Sequence, residues 1–426
     1  MNLKTRINDY ISNHSQNAIE LLQKLVQERS VSGNEATAQG IVTHYVNKLG
    51  LELDVWEPSF EELNESSFFI SQRTSFKDSP NIVATLKGSG NGKSIILNGH
   101  IDVVPEGELH QWKYQPYSGE IVGNRLYGRG ATDMKGGNVA ALLAIEAIKN
   151  SGIQLKGDVF FESVIEEESG GAGTLAAILR GYEADAVLIP EPTKMKIFPK
   201  QQGSMWFRLK VKGRVAHGGT RYEGVSAIEK SMIVVNHVIQ LEKQRNKKLQ
   251  DDPLYKNVPI PIPINIGKIE GGTWPSSVSD LVILEGRLGV APDETMENAK
   301  FELENWISGL NKKDEWFIEY PVEVEFFGAR WVPGSIDLEH PFMESLKEAF
   351  ETVYEKEPIV EASPWGTDGG LFTQIKQIPT IVFGPGETKV AHYPNEYIDL
   401  DELIQCSKVI AYTLLDWCGV DERSIL

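Results

Sequence analysis

Side chains that commonly bind metal ions recur at the points where apolar segments of this sequence end. Histidines and carboxylates follow the apolar runs in "ILNGHIDVVP", "FESVIEEESGG", "LIPEPT" and "IVFGPGETKVAHYP". Two imidazoles and several carboxylates are donors that suit zinc and similar divalent ions. If these runs are neighbouring strands, their carboxyl ends meet at one sheet edge, where open α/β sheets place their sites. The candidates are His100, Asp102, Glu167, Glu168, Glu191 and His392.

The run Glu166-Glu167-Glu168 places like charges side by side, which an ordinary strand end would not favour. A cation close by would relieve their repulsion. Asp133 is a further candidate ligand, in the glycine-rich loop "YGRGATDMKGG" before a predicted helix. That loop lacks the third glycine of a dinucleotide-binding fingerprint, and no strand leads directly into it. Each of these residues alone has an ordinary structural explanation, so their coincidence at one edge carries the metal hypothesis.

The elements that must position these residues alternate between strand and helix. "NIVATLKG", "KSIILNGH", "GDVFFESVI" and "ADAVLIP" predict buried strands, and "GGNVAALLAIEAIKNSG" and "GTLAAILRGY" predict helices between them. This order is typical of an α/β fold: a mostly parallel sheet with helices on both faces. From about residue 203 the pattern changes to that of a smaller α+β unit. We therefore predict a catalytic domain over 1–202 and 329–426, interrupted by an inserted domain over 203–328.

Composition narrows the classes of partner. The net charge of −18, from 42 basic and 60 acidic residues, disfavours binding to nucleic acid. The two cysteines, Cys406 and Cys418, have no spacing typical of a zinc site or a disulfide framework. The N-terminal stretch lacks the apolar core of a signal peptide, and no apolar run is long enough to span a membrane. A cytoplasmic protein without a membrane partner is the expectation.

Six motifs taken together resemble a known family. "GHIDVVP", "GRGATDMKGG", "IEEESGGAGT", "EPT", "RVAHGG" and "GPGETKVAHYPNEY" are similar to the successive motifs of the dinuclear zinc amidohydrolases. That family includes acetylornithine deacetylase, succinyl-diaminopimelate desuccinylase, aminoacylase and carboxypeptidases of the G type. The motifs occur in the family's order over residues 98–397, so the resemblance covers most of the chain. It implies a zinc-peptidase-like catalytic domain carrying a smaller lid or dimerisation domain.

The resemblance also implies a cofactor and a role for each candidate. Two divalent metal ions are expected per chain, zinc first, with cobalt or manganese as alternatives. Asp133 would bridge the two ions; His100 and Glu191 would complete the ligands of one, and Glu168 and His392 those of the other. Glu167 would be the general base, and Asp102 would hold the His100 imidazole from behind. Relatives also carry a cis peptide after the bridging aspartate, here Asp133–Met134.

The glutamate run departs from the family pattern. The usual text is Asp-Glu-Glu followed by an apolar residue, whereas this chain has Glu166-Glu167-Glu168-Ser169. The following "GGAGT" sets a register in which Glu167 is the base and Glu168 the ligand. A slip of one residue would give Glu166 a functional position instead, because adjacent residues of an extended segment face opposite ways. Both registers stay open at this point.

Other roles implied by the resemblance concern the substrate. His217 in "RVAHGG" matches a histidine that stabilises the oxyanion and, in related dimers, reaches the neighbouring subunit's site, so a homodimer is expected. Asn265 and Arg287 match positions that hold a substrate carboxylate. Gly384 and Gly386 would let the backbone approach the substrate. Asp368 is a weaker candidate for attracting an amine-bearing side chain.

The expected function is metal-dependent hydrolysis of the amide bond of an N-acyl amino acid, in amino-acid metabolism. Acetylornithine deacetylase is the specific activity that Glu191 favours, because carboxypeptidase-type relatives often carry aspartate there. The alternatives are a succinyl-diaminopimelate desuccinylase-like deacylase, or a dipeptidase or carboxypeptidase acting on short peptides. A non-catalytic amino-acid-binding protein on the same fold is a remoter hypothesis.

Overall fold

The structure is a computed structural model that describes residues 2–424 and divides into two compact units. The first contains the residues up to Pro199, Ser335–Val360 and the residues from Thr367 onwards. The second contains Lys200–Gly334 and Glu361–Gly366. All the candidate metal ligands belong to the first unit.

The helices alternate with the strands through most of the chain. Their bounds are α1 Leu3–Gln27, α2 Ala36–Leu49, α3 Phe60–Asn64, α4 Gly136–Asn150, α5 Ala172–Arg180, α6 Ala227–Lys247, α7 Met296–Ser308, α8 Trp316–Glu319, α9 Pro341–Tyr354, α10 Gly369–Leu371 and α11 Leu400–Cys418.

The strands are short in the first unit and longer in the second. Their bounds are β1 Glu52–Trp56, β2 Asn81–Leu86, β3 Ile95–His100, β4 Glu120–Val122, β5 Arg125–Tyr127, β6 Val159–Val164, β7 Val187–Ile189, β8 Ile197–Gln201, β9 Gly203–Lys212, β10 Ile264–Gly271, β11 Leu281–Val290, β12 Glu323–Trp331, β13 Gly334–Ser335, β14 Val360–Ser363, β15 Thr380–Val382 and β16 Tyr397–Asp399.

The main sheet of the first unit has the strand order β1-β2-β6-β3-β7-β15-β8. Its central strands β6, β3, β7 and β15 are parallel, whereas the pairs β1–β2, β2–β6 and β15–β8 are antiparallel. Because parallel strands end at the same edge, the segments after β3, β6, β7 and β15 emerge side by side. The α/β class with a mostly parallel central sheet, predicted from the sequence, is confirmed.

Helix α4 is the central helix of this unit and is buried along nearly its whole length. Its sequence, "GGNVAALLAIEAIKN", is apolar on most of its surface, which is typical of a helix covered all round. It contacts β3 and β6, and α1 and α11 pack against it. The loop that carries Asp133 leads directly into this helix and is therefore anchored in the core.

The second unit is built on an antiparallel sheet of order β10-β11-β9-β12. Burial alternates along β9, where Phe207, Leu209 and Val211 point into the core, as a sheet with one covered face requires. Helices α6 and α7 contact this sheet and each other. This is the smaller α+β unit that the change of pattern after residue 203 indicated.

Candidate metal centre

The ends of the parallel strands place the candidate ligands. His100 is the last residue of β3, Glu167 and Glu168 follow β6, Glu191 follows β7, and His392 lies in the segment after β15. Asp133 lies in an irregular turn before α4, and its peptide bond to Met134 is cis, as the family resemblance predicts. Residues far apart in sequence thus meet at one sheet edge.

The Asp133 carboxylate lies between two imidazoles. Its Oδ1 is 3.2 Å from Nε2 of His100, and its Oδ2 is 3.3 Å from Nε2 of His392. His100 is buried, whereas half of the His392 side chain is exposed. One carboxylate with a histidine at each oxygen is the arrangement that two neighbouring cations would require of a bridging ligand.

Glu191 and Glu168 add a carboxylate on each side. Glu191 Oε1 is 3.5 Å from Nε2 of His100, and Glu168 Oε1 is 3.0 Å from Nε2 of His392. The side chains therefore fall into two sets that share Asp133: His100 with Glu191, and His392 with Glu168. These are the two ligand sets that the resemblance implies, brought together by the fold.

Potential ligand atoms within 4.8 Å of one another form two overlapping groups: His100, Asp133 and Glu168, and His100, Glu167 and Glu191. Glu167 thus reaches the same cluster as the ligands. Distance alone does not distinguish a base from a ligand, so the role of Glu167 as the base stays a prediction.

Asp102 contributes differently from the expected role behind His100. Nδ1 of His100 lies 2.8 Å from the backbone carbonyl oxygen of Asp102 and 3.6 Å from its carboxylate. The Asp102 carboxylate instead accepts the backbone N–H groups of Glu167 at 3.2 Å and Glu168 at 3.1 Å. Asp102 therefore fixes the imidazole through its main chain and the glutamate turn through its side chain.

Glu166 points away from the cluster. It is buried, and its carboxylate accepts hydrogen bonds from Ser71 at 2.8 Å, Arg73 at 3.0 Å and Ser169 at 2.8 Å, and also from Ser32. Burial alone would raise the pKa of Glu166, but these hydrogen bonds lower it below its ordinary value. Its carboxylate is thus fully engaged, which favours the register with Glu167 and Glu168 at the site.

The pKa values of the clustered side chains show that negative charge is crowded at this site. Burial and neighbouring carboxylates raise the pKa values of Glu191 and Glu167 well above their ordinary value. Burial would lower the pKa of His392, but hydrogen bonds to Asp133 and Glu168 raise it to about 11. A divalent cation would neutralise this crowded set of carboxylates. The donor set fits divalent metal ions of the zinc type.

The sequence also matches a known protein family. The sequence pattern of peptidase family M20/M25/M40 matches residues 96–416, about three quarters of the chain. The chain is a member of this family. Members are hydrolases of amide bonds, so the protein is a metal-dependent amidohydrolase, as the sequence analysis predicted.

The M20 protein has relatives of known name along most of its length. It is 31% identical to the N-formyl-4-amino-5-aminomethyl-2-methylpyrimidine deformylase of Halalkalibacterium halodurans, over 96% of each chain. It is 26% identical to a probable succinyl-diaminopimelate desuccinylase of Staphylococcus aureus, over 90% of this chain and 93% of the relative. The solved structure of the di-peptidase Dug1p from Saccharomyces cerevisiae has the same fold, with a TM-score of 0.73, 17% identity and coverage of 99% and 100%. The deformylase and desuccinylase relatives support a deacylase without specifying N-acetylornithine, and the Dug1p structure shows the fold.

Two residues of the M20 site had no role assigned from the sequence. Arg129 and Glu396 form a buried ion pair at 2.6 Å. Glu396 also accepts the backbone N–H of Asp133 at 3.2 Å, and Arg129 donates to the backbone carbonyl of His392 at 3.2 Å. The pair thus ties the Asp133 turn to the His392 segment. Both residues lie within family motifs, but 267 positions separate them, so only the fold shows that they meet.

The glycines proposed for substrate approach have close protein neighbours. A side chain at Gly384 would collide with the backbone of Pro190 and Glu191, and one at Gly386 with Thr132. Gly386 also has a φ of 91°, which glycine tolerates best. Packing against the Glu191 and Asp133 segments therefore accounts for both glycines without any substrate.

Asp368 is buried, and its Oδ2 accepts a hydrogen bond from Thr174 at 2.6 Å. Its Oδ1 faces Gly171, where no side chain would fit. Burial raises the pKa of Asp368 to about 6. Its role in attracting a substrate amine stays a prediction.

The remaining candidates belong to the second unit. His217 is exposed and begins a short turn, where its Nδ1 accepts the backbone N–H of Gly219 at 3.1 Å. Asn265 on β10 stands opposite Arg287 on β11. Arg287 is half-buried, and burial lowers its pKa to about 10. The substrate roles of these three residues stay predictions.

Within residues 2–424 no helix is long and apolar enough to cross a membrane.

Proposed function

We propose that this M20 protein is a two-metal deacylase that hydrolyses the amide bond of an N-acylated amine. The observation that carries the proposal is the Asp133 carboxylate, with the His100 and His392 imidazoles 3.2 Å and 3.3 Å from its two oxygens. Such a geometry has a clear use when two cations lie side by side. An isolated structural cluster would have no need for a carboxylate shared in this way.

His100, Glu191 and Asp133 would hold one ion, and Asp133, Glu168 and His392 the other. Zinc is the first choice for this mixed set of imidazoles and carboxylates, with cobalt or manganese as working alternatives. When bound, such ions lower the pKa of water and polarise the amide carbonyl. Asp102 and the Arg129–Glu396 pair would keep the ligands oriented, as hydrogen-bonded partners of metal ligands generally do.

Glu167 would be the general base. Its side chain is only 8% exposed, and its backbone is held by the Asp102 carboxylate. A buried carboxylate with a raised pKa is suited to accept a proton from the attacking water and release it again. Glu167 would then deliver that proton to the amine nitrogen as the carbon–nitrogen bond breaks. The neighbouring Glu168 would stay a ligand throughout.

The substrate class is an amine that carries a small acyl group. The named deformylase relative removes a formyl group from an aminomethyl nitrogen, and the named desuccinylase relative points to the same bond type with a larger acyl group. The N-formyl aminomethylpyrimidine is therefore the first compound to test. N-acetylornithine, the preference drawn from Glu191, and N-succinyl diaminopimelate belong in the same panel.

The second unit carries three further candidates for substrate handling. We assign His217 to stabilisation of the oxyanion, acting on the site of a second copy in a homodimer. Asn265 and Arg287 would hold an acidic group of the substrate, since the forked donors of arginine suit carboxylates. A cytoplasmic location fits an enzyme of small-molecule metabolism.

The test is a panel of initial hydrolysis rates with zinc-loaded protein, measured by release of the free amine. The panel contains the N-formyl aminomethylpyrimidine, N-formyl, N-acetyl and N-succinyl amino acids, and simple dipeptides. A preference for N-acyl amines over dipeptides supports the proposal. Preferential cleavage of dipeptides would favour the peptidase alternative; the di-peptidase Dug1p has the same fold. Tight binding without turnover would favour a non-catalytic binding protein.

A further inference from the structure

The turn that carries Glu167 and Glu168 is bracketed by a segment outside the main sheet. This segment, residues 66–79, is called here the clamp segment; it lies between α3 and β2. Its side chains contact Glu166, directly before the two glutamates, and Gly170, shortly after them. No role in catalysis follows from the sequence of this segment.

The first contact is the Glu166 carboxylate. Ser71 donates to its Oε2 at 2.8 Å, and Arg73 donates to its Oε1 at 3.0 Å. Glu166 has a φ of 62°, a left-handed conformation that is uncommon for a residue with a side chain and needs support from its surroundings. The clamp segment supplies two of the hydrogen bonds that provide this support.

Arg73 is itself held on several sides. It pairs with the buried Glu35 at 3.3 Å, donates to Ser79 at 2.8 Å, and lies over the Phe76 ring at 4.9 Å. Only 19% of the Arg73 side chain is exposed. The guanidinium is therefore a fixed point between two buried carboxylates, Glu35 and Glu166, and does not move freely in solvent.

The second contact is apolar. The Ile70 side chain lies against Gly170, where an added side chain would approach its atoms to 2.8 Å. Gly170 has a φ of 130°, so this position needs glycine for its backbone as well as for the contact. The glutamate turn is thus held before Glu167 by Arg73 and Ser71, and after Glu168 by Ile70.

We infer that the clamp segment positions the catalytic turn, with Arg73 acting through Glu166 to set the placement of Glu167 and Glu168. Arg73 is a positioning residue and contacts neither the reacting atoms nor the metal ligands. The inference rests on the proposed deacylase function for its kinetic consequence. Its structural consequences are an ordered turn and a higher affinity for metal on the Glu168 side. These consequences do not depend on the substrate.

The principal test is Arg73→Met in the full chain. We expect kcat to fall by about 10- to 100-fold, the usual effect of removing an outer partner of a metal site, with KM changed little. Zinc titration should still approach about two ions per chain, with a lower affinity for the ion on the Glu168 side. Hydrogen exchange should increase in peptides covering 163–175 and not across the whole protein. A merely structural role would increase exchange throughout and would not lower kcat of the folded fraction.

Two milder variants guard against misfolding of Arg73→Met, which leaves Glu35 and Glu166 without their cation. Ser71→Ala removes two hydrogen bonds, the one donated to Glu166 and the one accepted from the backbone N–H of Arg73, and keeps both ion pairs of Arg73. Glu166→Asp withdraws the carboxylate by about 1.5 Å, one carbon–carbon bond, from Ser71 and Arg73. Both should lower kcat in the same direction as Arg73→Met, by less.

Arg180→Met is the matched control, since Arg180 pairs with Asp54 and lies over Trp56 without touching the glutamate turn. It should leave kcat, zinc affinity and exchange in 163–175 unchanged. Unchanged kcat, zinc affinity and local exchange in the clamp variants would overturn the inference. A wild-type protein that turns over no substrate would refute the proposed function instead, while zinc affinity and exchange still decide on the clamp segment.

Discussion

The carboxylate of Asp102 accepts the backbone N–H of Glu167 at 3.2 Å. This contact joins the end of β3 to the turn after β6, so the strand that carries His100 also fixes the proposed base. The carboxylate is fully buried, and burial raises its pKa to about 8. Backbone hydrogen bonds are insensitive to side-chain identity, so the same turn can hold two successive carboxylates to which different roles are proposed.

Replacing the two site glutamates separately should divide their roles. Glu167→Gln is expected to keep both metal ions and to lower kcat by about 10²- to 10⁴-fold, because a proton acceptor is lost while the shape is kept. Glu168→Gln should instead reduce the metal content towards one ion per chain, because a ligand is lost. Metal analysis alongside kcat distinguishes the two. The opposite pattern would reverse the assignment of base and ligand.

Removing the cation of the buried Arg129–Glu396 pair should destabilise the fold. Arg129→Met leaves the buried Glu396 carboxylate without its cation, which typically costs about 3–5 kcal/mol of unfolding free energy. Denaturant unfolding of the metal-free protein measures this. The double variant Arg129→Met/Glu396→Gln should be no less stable than Arg129→Met alone. Additive losses would mean that the two residues stabilise the fold independently.

The pH dependence of stability should report on Glu162. This residue is fully buried in β6; Asn98 donates to its Oε2 at 2.9 Å, and its Oε1 has no partner among the described residues. Burial raises its pKa from 4.5 to about 7. Between these values only the unfolded chain ionises, so folding takes up a proton and stability falls as pH rises.

Glu162→Gln removes this titration. The unfolding free energy of this variant minus that of the wild type should not change with pH below about pH 4.5. The difference should increase progressively from there to pH 7 and level off above pH 7, after a total increase of about 3 kcal/mol. Urea unfolding of both proteins at pH 4.5, 6 and 8 measures the difference. A difference that is the same at all three values would show that Glu162 titrates normally in the folded state.

Mixing two inactive variants tests whether His217 serves a second copy. Glu167→Gln and His217→Ala homodimers should each be nearly inactive. In a mixed dimer, one site combines an intact Glu167 with an intact His217 from the other subunit, so activity should return on subunit exchange. No recovery in a sample shown to contain mixed dimers would mean that His217 acts within its own chain or not at all.

The positions of most candidate ligands were predictable from sequence because they follow apolar runs that form parallel strands. Asp133 is the exception, since it lies in an irregular turn before α4. The ends of β3, β6, β7 and β15 carry His100, the glutamates, Glu191 and the His392 segment, as the alternation of strands and helices indicated. Apolar runs indicate buried strands, and neighbouring parallel strands end at the same edge of their sheet. The strand ends therefore indicated where the candidate residues gather, and the family resemblance implied the role of each.

The partners of those ligands were not predictable because their contacts are long-range and carry no periodic signal. Arg73 meets Glu166 across 93 positions, and Glu396 meets Arg129 across 267. The clamp segment itself lies between α3 and β2, outside the alternating strands and helices. Charged residues in irregular segments resemble solvent-exposed ones until the fold shows what they contact.

The most direct test of the central claim is activity during metal titration. Protein stripped with a chelator is titrated with zinc, and amine release from the preferred N-acyl substrate is followed together with bound zinc. The account predicts no hydrolysis by the stripped protein and maximal hydrolysis at about two zinc ions per chain. It also predicts that Asp133→Asn abolishes that second equivalent. Full activity without metal, or two bound zinc ions with no hydrolysis of any N-acyl amine, would contradict it.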